Sequence, residues 1–447
     1  ILGGEIDPSN LNVFFGSAAG QANAGGQANS GIGHHSLAAN TDGSFNTATG
    51  YESLSGNLTG YSNTANGSYA LYNNSTGFSN TGIGRNALFA NTNGFSNTAT
   101  GEGSLLSNTG GAKNTAGGYQ ALYSNTTGNE NTASGYQALY SNTLANFNTA
   151  IGSQALNKNI NGSGNTANGY QALNKNVSGS ENIASGYQAL FKNISGDDNI
   201  ATGGVALLNN ISGSDNVAIG SFALAQNTTG SYNTGVGEQA LFSNLGGNNN
   251  TAIGYFAGVG SGALFNATAI GAGATVNASD KVRIGNLAVT VIEGQVAYSY
   301  PSDARFKYNI KSNVPGLDFI KKLTPVTYYF DHQLLEEYSK TGIINTGILT
   351  PASYAGEKQL HSGFLAQDVE KIANELGYEF DGVHAPANGK DHYSLAYSQF
   401  IMPLVKAVQQ QQIIIEKQQI QIEALIKDKS NWQKQMDELK AMLIHRR

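Results

Sequence analysis

The run Ser302-Asp303-Ala304-Arg305-Phe306-Lys307 sets a serine hydroxyl five residues before a lysine amine. Such a pair can act as nucleophile and general base once the amine gives up its proton, which desolvation promotes. A separation of five aligns the two side chains on neither a helix nor a strand, so a turn between them is required. Little else in the chain reads as chemistry. Cysteine is absent, which removes thiolate nucleophiles, thiolate zinc sites and disulfides. A glycosidase needs two carboxylates facing one bond. The acidic residues of the first 300 positions read as scattered, with only Asp197-Asp198 paired. Nothing calls for a metal or a cofactor. His361, taken alone, reads as a packed or surface histidine.

The elements that must carry these residues fall into two halves. Glycine makes up 57 of 447 residues, nearly double the ~7% norm, and charged residues are 12% against ~25%. Residues 1–300 hold 7 Lys+Arg and 13 Asp+Glu; residues 301–447 hold 17 of each. A boundary is therefore expected near residue 300. The net charge of −6 argues against a nucleic-acid partner. No apolar run approaches the ~18 residues of a membrane span, and no signal peptide is read. The chain opens on Ile1 rather than Met, as expected of a fragment or a processed product.

A 17-residue period dominates the first half. Glycine recurs from Gly16 to Gly271 at every seventeenth position, and asparagine four residues earlier from Asn12 to Asn250. Leucine follows the glycine by four residues from Leu37 to Leu241. A second asparagine runs from Asn40 to Asn244, and a second glycine row is broken only by Ala145. The period is too short for two-helix repeats, and Gly, Asn, Thr and Ser are poor helix formers. We expect a β-solenoid of about sixteen coils with two short strands per coil, roughly 75 Å long at ~4.8 Å per coil. Extended alternation would put Asn131, Ala133, Gly135, Gln137 and Leu139 on one face, with stacked asparagines bonding along the axis. One leucine per coil is a thin core, so several chains are expected to pack side by side. Tyrosines after the repeat glycine (Tyr51, Tyr119, Tyr136, Tyr170, Tyr187, Tyr255) suit packing between chains better than sugar stacking. Sequons such as Asn57-Leu58-Thr59 and Asn193-Ile194-Ser195 follow from the repeat and need not be glycosylated.

The second half reads as a small α+β domain. Leu317–Leu323 and Asp368–Leu376 read as short helices, and Val326–Phe330 as a strand. At its end, Ile401, Val408, Ile415, Ile422, Met436 and Leu443 fall at steps of seven, broken only by Lys429. Leu404, Leu425, Trp432 and Leu439 fill a second seam, interrupted by Gln411 and Gln418. Isoleucine at one seam with glutamine in the other suits three strands rather than a tight dimer.

Two resemblances sharpen these expectations. Asn216-Val217-Ala218-Ile219-Gly220 and Asn250-Thr251-Ala252-Ile253-Gly254 resemble the head repeats of trimeric autotransporter adhesins, which are left-handed parallel β-rolls, three to a head. The 17-residue repeat is a longer variant of theirs, and the resemblance covers residues 12–285. Asp280–Asn286 then breaks the spacing and resembles a cap leading into a short β-rich neck, Leu287 to Tyr300. Ser-Asp-x-Arg-x-Lys-x-x-Ile from Ser302, with His361-Ser362-Gly363-Phe364-Leu365-Ala366-Gln367-Asp368-Val369 and the closing helix from Tyr397, resembles the intramolecular chaperone that ends phage endosialidase tail spikes, long tail fibres and neck appendages. The resemblance implies a domain that drives trimerisation and then cuts itself off between Pro301 and Ser302. It implies Ser302 as nucleophile, Lys307 as general base and His361 as a histidine near the site.

The expected architecture is mostly β. It comprises a β-roll or β-solenoid shaft over 1–285, a neck over 286–301, an α+β chaperone domain over 302–396 and a coiled-coil helix over 397–447, assembled as a homotrimer. The expected function is a structural, receptor-binding fibre on a virion or phage-like particle, or a bacterial surface adhesin. Its partner would be a cell-surface glycan or another host receptor, without nucleic acid or membrane insertion. As an enzyme it would be at most a single-turnover autoproteolytic serine peptidase. Alternatives are a chain that is mainly such a peptidase and, more weakly, a polysaccharide-degrading tail spike.

Overall fold

A computed structural model describes residues 4–7, 9–296, 298–344 and 359–444. The chain forms two compact units, Ile1–Thr290 and Val291–Arg447.

The first unit is a solenoid. Its 18-stranded sheet is parallel throughout except where Gly4–Asp7 pairs antiparallel with Asn12–Phe15. Each coil adds one three-residue strand, such as Thr132–Ser134, in register with Thr149–Ile151 on the next. The second strand expected in each coil forms only at the far end, where Gly258–Val259 pairs with Thr275–Val276. Elsewhere the wall after the repeat glycine is a run of turns. Gln137 and Leu139 both sit at φ 51°, in the left-handed region, so this segment is not extended. Leu139 still points inward, and its neighbour Ala138 is buried beside it, which strict alternation forbids.

The repeat residues have separate physical reasons. Gly135 has φ +140°, and a Cβ there would lie 2.5 Å from the Gly152 carbonyl oxygen, so no side chain fits. The mid-strand alanines and the leucines from Leu37 to Leu241 are fully buried. The asparagines form two internal ladders. Asn131 Nδ2 donates to Asn114 Oδ1 (3.2 Å) and to the Ala145 carbonyl (2.9 Å), and its Oδ1 accepts the Asn148 backbone N–H (3.0 Å). In the second ladder Asn142 Nδ2 donates to Asn125 Oδ1 (2.9 Å). These amides satisfy backbone groups that would otherwise be orphaned inside the fully buried interior of the coil. The sequon residues Asn57 and Asn193 belong to this ladder and are fully buried. Where Ala145 replaces the second glycine, the Thr143 N–H to Ile160 carbonyl bond stretches to 3.5 Å, against 2.9 Å for Thr126 to Thr143 one coil earlier.

Both ends of the core are plugged. Phe14 takes the mid-strand slot of the first coil, in room left by Gly20 and Gly31. The last coil is shortened, pairing Thr268–Ile270 with Val282–Ile284. Arg283 fills the same slot there, its guanidinium donating to the Thr275 and Gly285 carbonyls. Burial lowers that guanidinium from its ordinary pKa. The cap expected over 280–286 thus forms. The stretch 286–300, where a β-rich neck is expected, has no strand among its described residues.

One further expectation is narrowed and another needs correction. The interior of a coil is closed within one chain, so any shortfall of burial lies on the outside. There, Ile151, Ile219 and Tyr187 remain exposed. Nor are the acids scattered: Glu181, Asp198 and Asp215 occupy the same position of successive coils. They form a like-charged row.

The second unit is small and α+β. Its core is Phe319, Val369, Ala373, Phe380 and Phe400. It contains α1 (Leu317–Ile320), α2 (His332–Thr341), α3 (Ala366–Glu375) and α4 (Ile401–Ile444). Helix α2 went unread in the sequence although its signals are present: Asp331 caps the Leu334 N–H, and Gly342 closes it at φ 74°. Only Pro403 and Ala407 of α4 are buried. Its two seams are bare, with Trp432 69% and Leu425 67% exposed.

Candidate active site

The turn that the Ser302–Lys307 spacing requires is present. Ala304–Phe306 forms a single 3-10 turn, and Asp303 caps it by accepting the Arg305 N–H. The Lys307 N–H closes the turn on the Ala304 carbonyl. The side chains of residues 302 and 307 are thereby folded back on each other, and Lys307 Nζ donates to Ser302 Oγ at 2.7 Å. The Arg305 guanidinium lies on Asp303, with Nε at 3.0 Å and Nη2 at 2.6 Å from Oδ2. That clamp pre-forms the turn and directs Lys307 toward the serine.

The Arg305 side chain, then its backbone N–H, hold the Asp303 carboxyl below its ordinary pKa. Because the folded value is depressed, the clamp's contribution is present above the unfolded value of about 3.9 and is lost as pH falls through the folded one. An NMR titration of the Asp303 carboxyl should therefore have its midpoint below 3.9, with Arg305 Nε–H protection vanishing in step. A midpoint at the ordinary carboxylate value would contradict the clamp.

In this hydrogen bond the lysine is the donor, and both side chains are exposed in a single chain. For serine to attack, the proton must pass the other way, which requires a neutral amine and hence a drier surrounding than one chain supplies.

His361 is placed on different elements. Strand His361–Gly363 pairs antiparallel with Val326–Tyr328, putting His361 opposite Tyr328 with ring centroids 5.7 Å apart. It is not part of the Ser302–Lys307 hydrogen bond. The rest of its motif builds the core: Gly363 leaves space for the Tyr397 hydroxyl, which accepts the Phe364 N–H at 3.0 Å. Val369 of α3 then packs into the aromatic cluster. Gln410 of α4 accepts the Leu317 N–H at 2.7 Å, tying the root of the long helix to α1. Tyr397 and Gln410 were legible only as members of the closing helix, because their partners lie 33 and 93 residues away.

Residues 302–378 match the family model described as chaperone of endosialidase. No curated protein matches the chain. The family match opens on Ser302 itself and covers His361 and α3. A chaperone-of-endosialidase domain therefore follows the solenoid, and this order fits a structural protein of the tail-fibre kind. No helix among the described residues is long and apolar enough to cross a membrane.

Proposed function

We propose that the chain is a homotrimeric fibre, of a phage or phage-like particle or of a bacterial surface, whose last domain folds and trimerises the shaft and then releases itself before Ser302. The observation that carries this reading is the order of parts: a passive solenoid followed by a chaperone-of-endosialidase domain that begins at a hydrogen-bonded Ser302–Lys307 pair. The bare α4 seams support three strands. Isoleucines such as Ile415 and Ile422 alternate with polar Gln411 and Gln418, and none finds a partner in its own chain. Assembly also supplies what the serine–lysine pair lacks, because neighbouring chains can dry an amine that one chain leaves wet.

In this reading the shaft presents a receptor-binding surface, with glycan or protein as the receptor class. The single-turnover peptidase is one step of the same programme, not a separate function. Expression of residues 1–301 alone tests the chaperone role. The expected product is aggregated or single-chain shaft, while the full chain yields soluble trimer. A truncated shaft that trimerises cleanly would remove the role.

A further inference from the structure

Charges that stack on neighbouring coils are paired with opposite sign in one part of the shaft. Arg85 meets Glu102 at 3.5 Å, and Lys113 meets Glu130 at 3.0 Å, each one coil on. Another stretch does the reverse. Lys158, Lys175 and Lys192 hold one position of three successive coils, all exposed, and Glu181, Asp198 and Asp215 hold another. Among the described residues none of the six forms an ion pair. Like charges stacked about 4.8 Å apart repel one another, and the one described contact that eases the lysine row is Lys175 Nζ over the Phe191 ring at 5.3 Å.

The space between the two rows is also unusual. Lys175 and Glu181 flank the corner 176–180, whose outward position is Thr126 and Thr143 in earlier coils and Thr228 in a later one. In the charged coils the same position is Ile160, Val177, Ile194 and Ile211. The three isoleucines are 40–45% exposed. An apolar rib thus runs along the shaft with a cationic row on one side and an anionic row on the other. This is the pattern by which parallel copies associate around an axis: the rib turns inward and opposite flanks meet between neighbours.

We propose that residues 158–217 form the chain–chain contact of the shaft, with the lysine row of each copy paired to the carboxylate row of the next copy of this chain. The proposal rests on the trimer reading and adds the surface that joins the shafts. Heights agree without axial slip. Glu181 and Asp198 each follow a lysine by six of the coil's 17 residues, a rise of under about 2 Å. Lys175 therefore meets Glu181 and Lys192 meets Asp198, with Lys158 and Asp215 extending the rows by one coil at either end. The first strand position, Thr149 and Thr166 in the preceding coils, is Ile183, Ile200 and Val217 here, which continues the apolar contact beside the acids.

The chain has no cysteine, so Val177→Cys on the rib introduces a sole thiol into the full-length protein. Oxidation should link chains in pairs on a denaturing gel. Adding Lys158→Glu, Lys175→Glu and Lys192→Glu should cut that linking about tenfold at low salt. Adding Glu181→Lys, Asp198→Lys and Asp215→Lys to the same chain should restore it. If the first triple reversal loses its β-sheet circular dichroism, the three Lys→Gln changes replace it, with the same loss of linking expected. A solution mass of one chain would overturn both this proposal and the trimer reading. A mass of three chains without linking, or with linking indifferent to the reversals, would overturn this pairing alone.

Discussion

Freshly made wild-type protein should break between Pro301 and Ser302, and Ser302→Ala should stay whole. Intact-mass spectrometry reads both. Lys307 Nζ sits 2.7 Å from Ser302 Oγ, held there by the capped turn between them. Lys307→Arg is the sharper variant. It keeps the positive charge and can still donate to the hydroxyl, yet a guanidinium does not surrender its proton and so cannot serve as base. It should be as inert as Ser302→Ala, whereas a merely structural Lys307 would tolerate arginine. Pro301 precedes the bond to be cut, and its ring restricts how its carbonyl can be presented. Pro301→Ala should therefore cut faster. An uncut wild-type chain would remove the peptidase step and leave the folding role standing.

Asn131→Asp should destabilise the shaft by about 3–5 kcal/mol, although it changes no shape. Asn131 gives two internal hydrogen bonds, to Asn114 Oδ1 and the Ala145 carbonyl. A carboxylate in that place offers neither, faces both oxygens with negative charge and is fully buried. The pH dependence has a definite sign. Burial raises the pKa of such a carboxyl above its unfolded value, so the penalty grows as pH rises beyond about 4 and eases as pH falls toward it. In a solenoid each coil touches only its neighbours, so the variant should melt in two steps, divided at the damaged coil. Thermal melting followed at several pH values checks this. An unchanged single transition would show that the asparagine ladders do not hold the coils together.

The legible parts of the fold were those that only one residue type can satisfy. Gly135 faces a carbonyl of the next coil, Leu139 fills the interior and Asn131 bridges three coils, so each recurs every 17 residues. The wall between them was misread as a second strand, because left-handed Gln137 and Leu139 carry no sequence mark of that conformation. The row Glu181–Asp198–Asp215 escaped a reading along the chain and emerges only when residues are ordered by coil. At the site, the need for a turn between Ser302 and Lys307 was legible, and Asp303 with Arg305 supplies it. The place of His361 was not legible, since it depends on pairing with Tyr328, 33 residues earlier.

The fibre proposed above is copies of one chain zipped along their outer ribs and closing helices. The mass in solution of the Ser302→Ala chain, which stays whole, tests it most directly, by light scattering or sedimentation. Three times the 46.7 kDa chain is the expected value. A well-folded particle weighing one chain would contradict it.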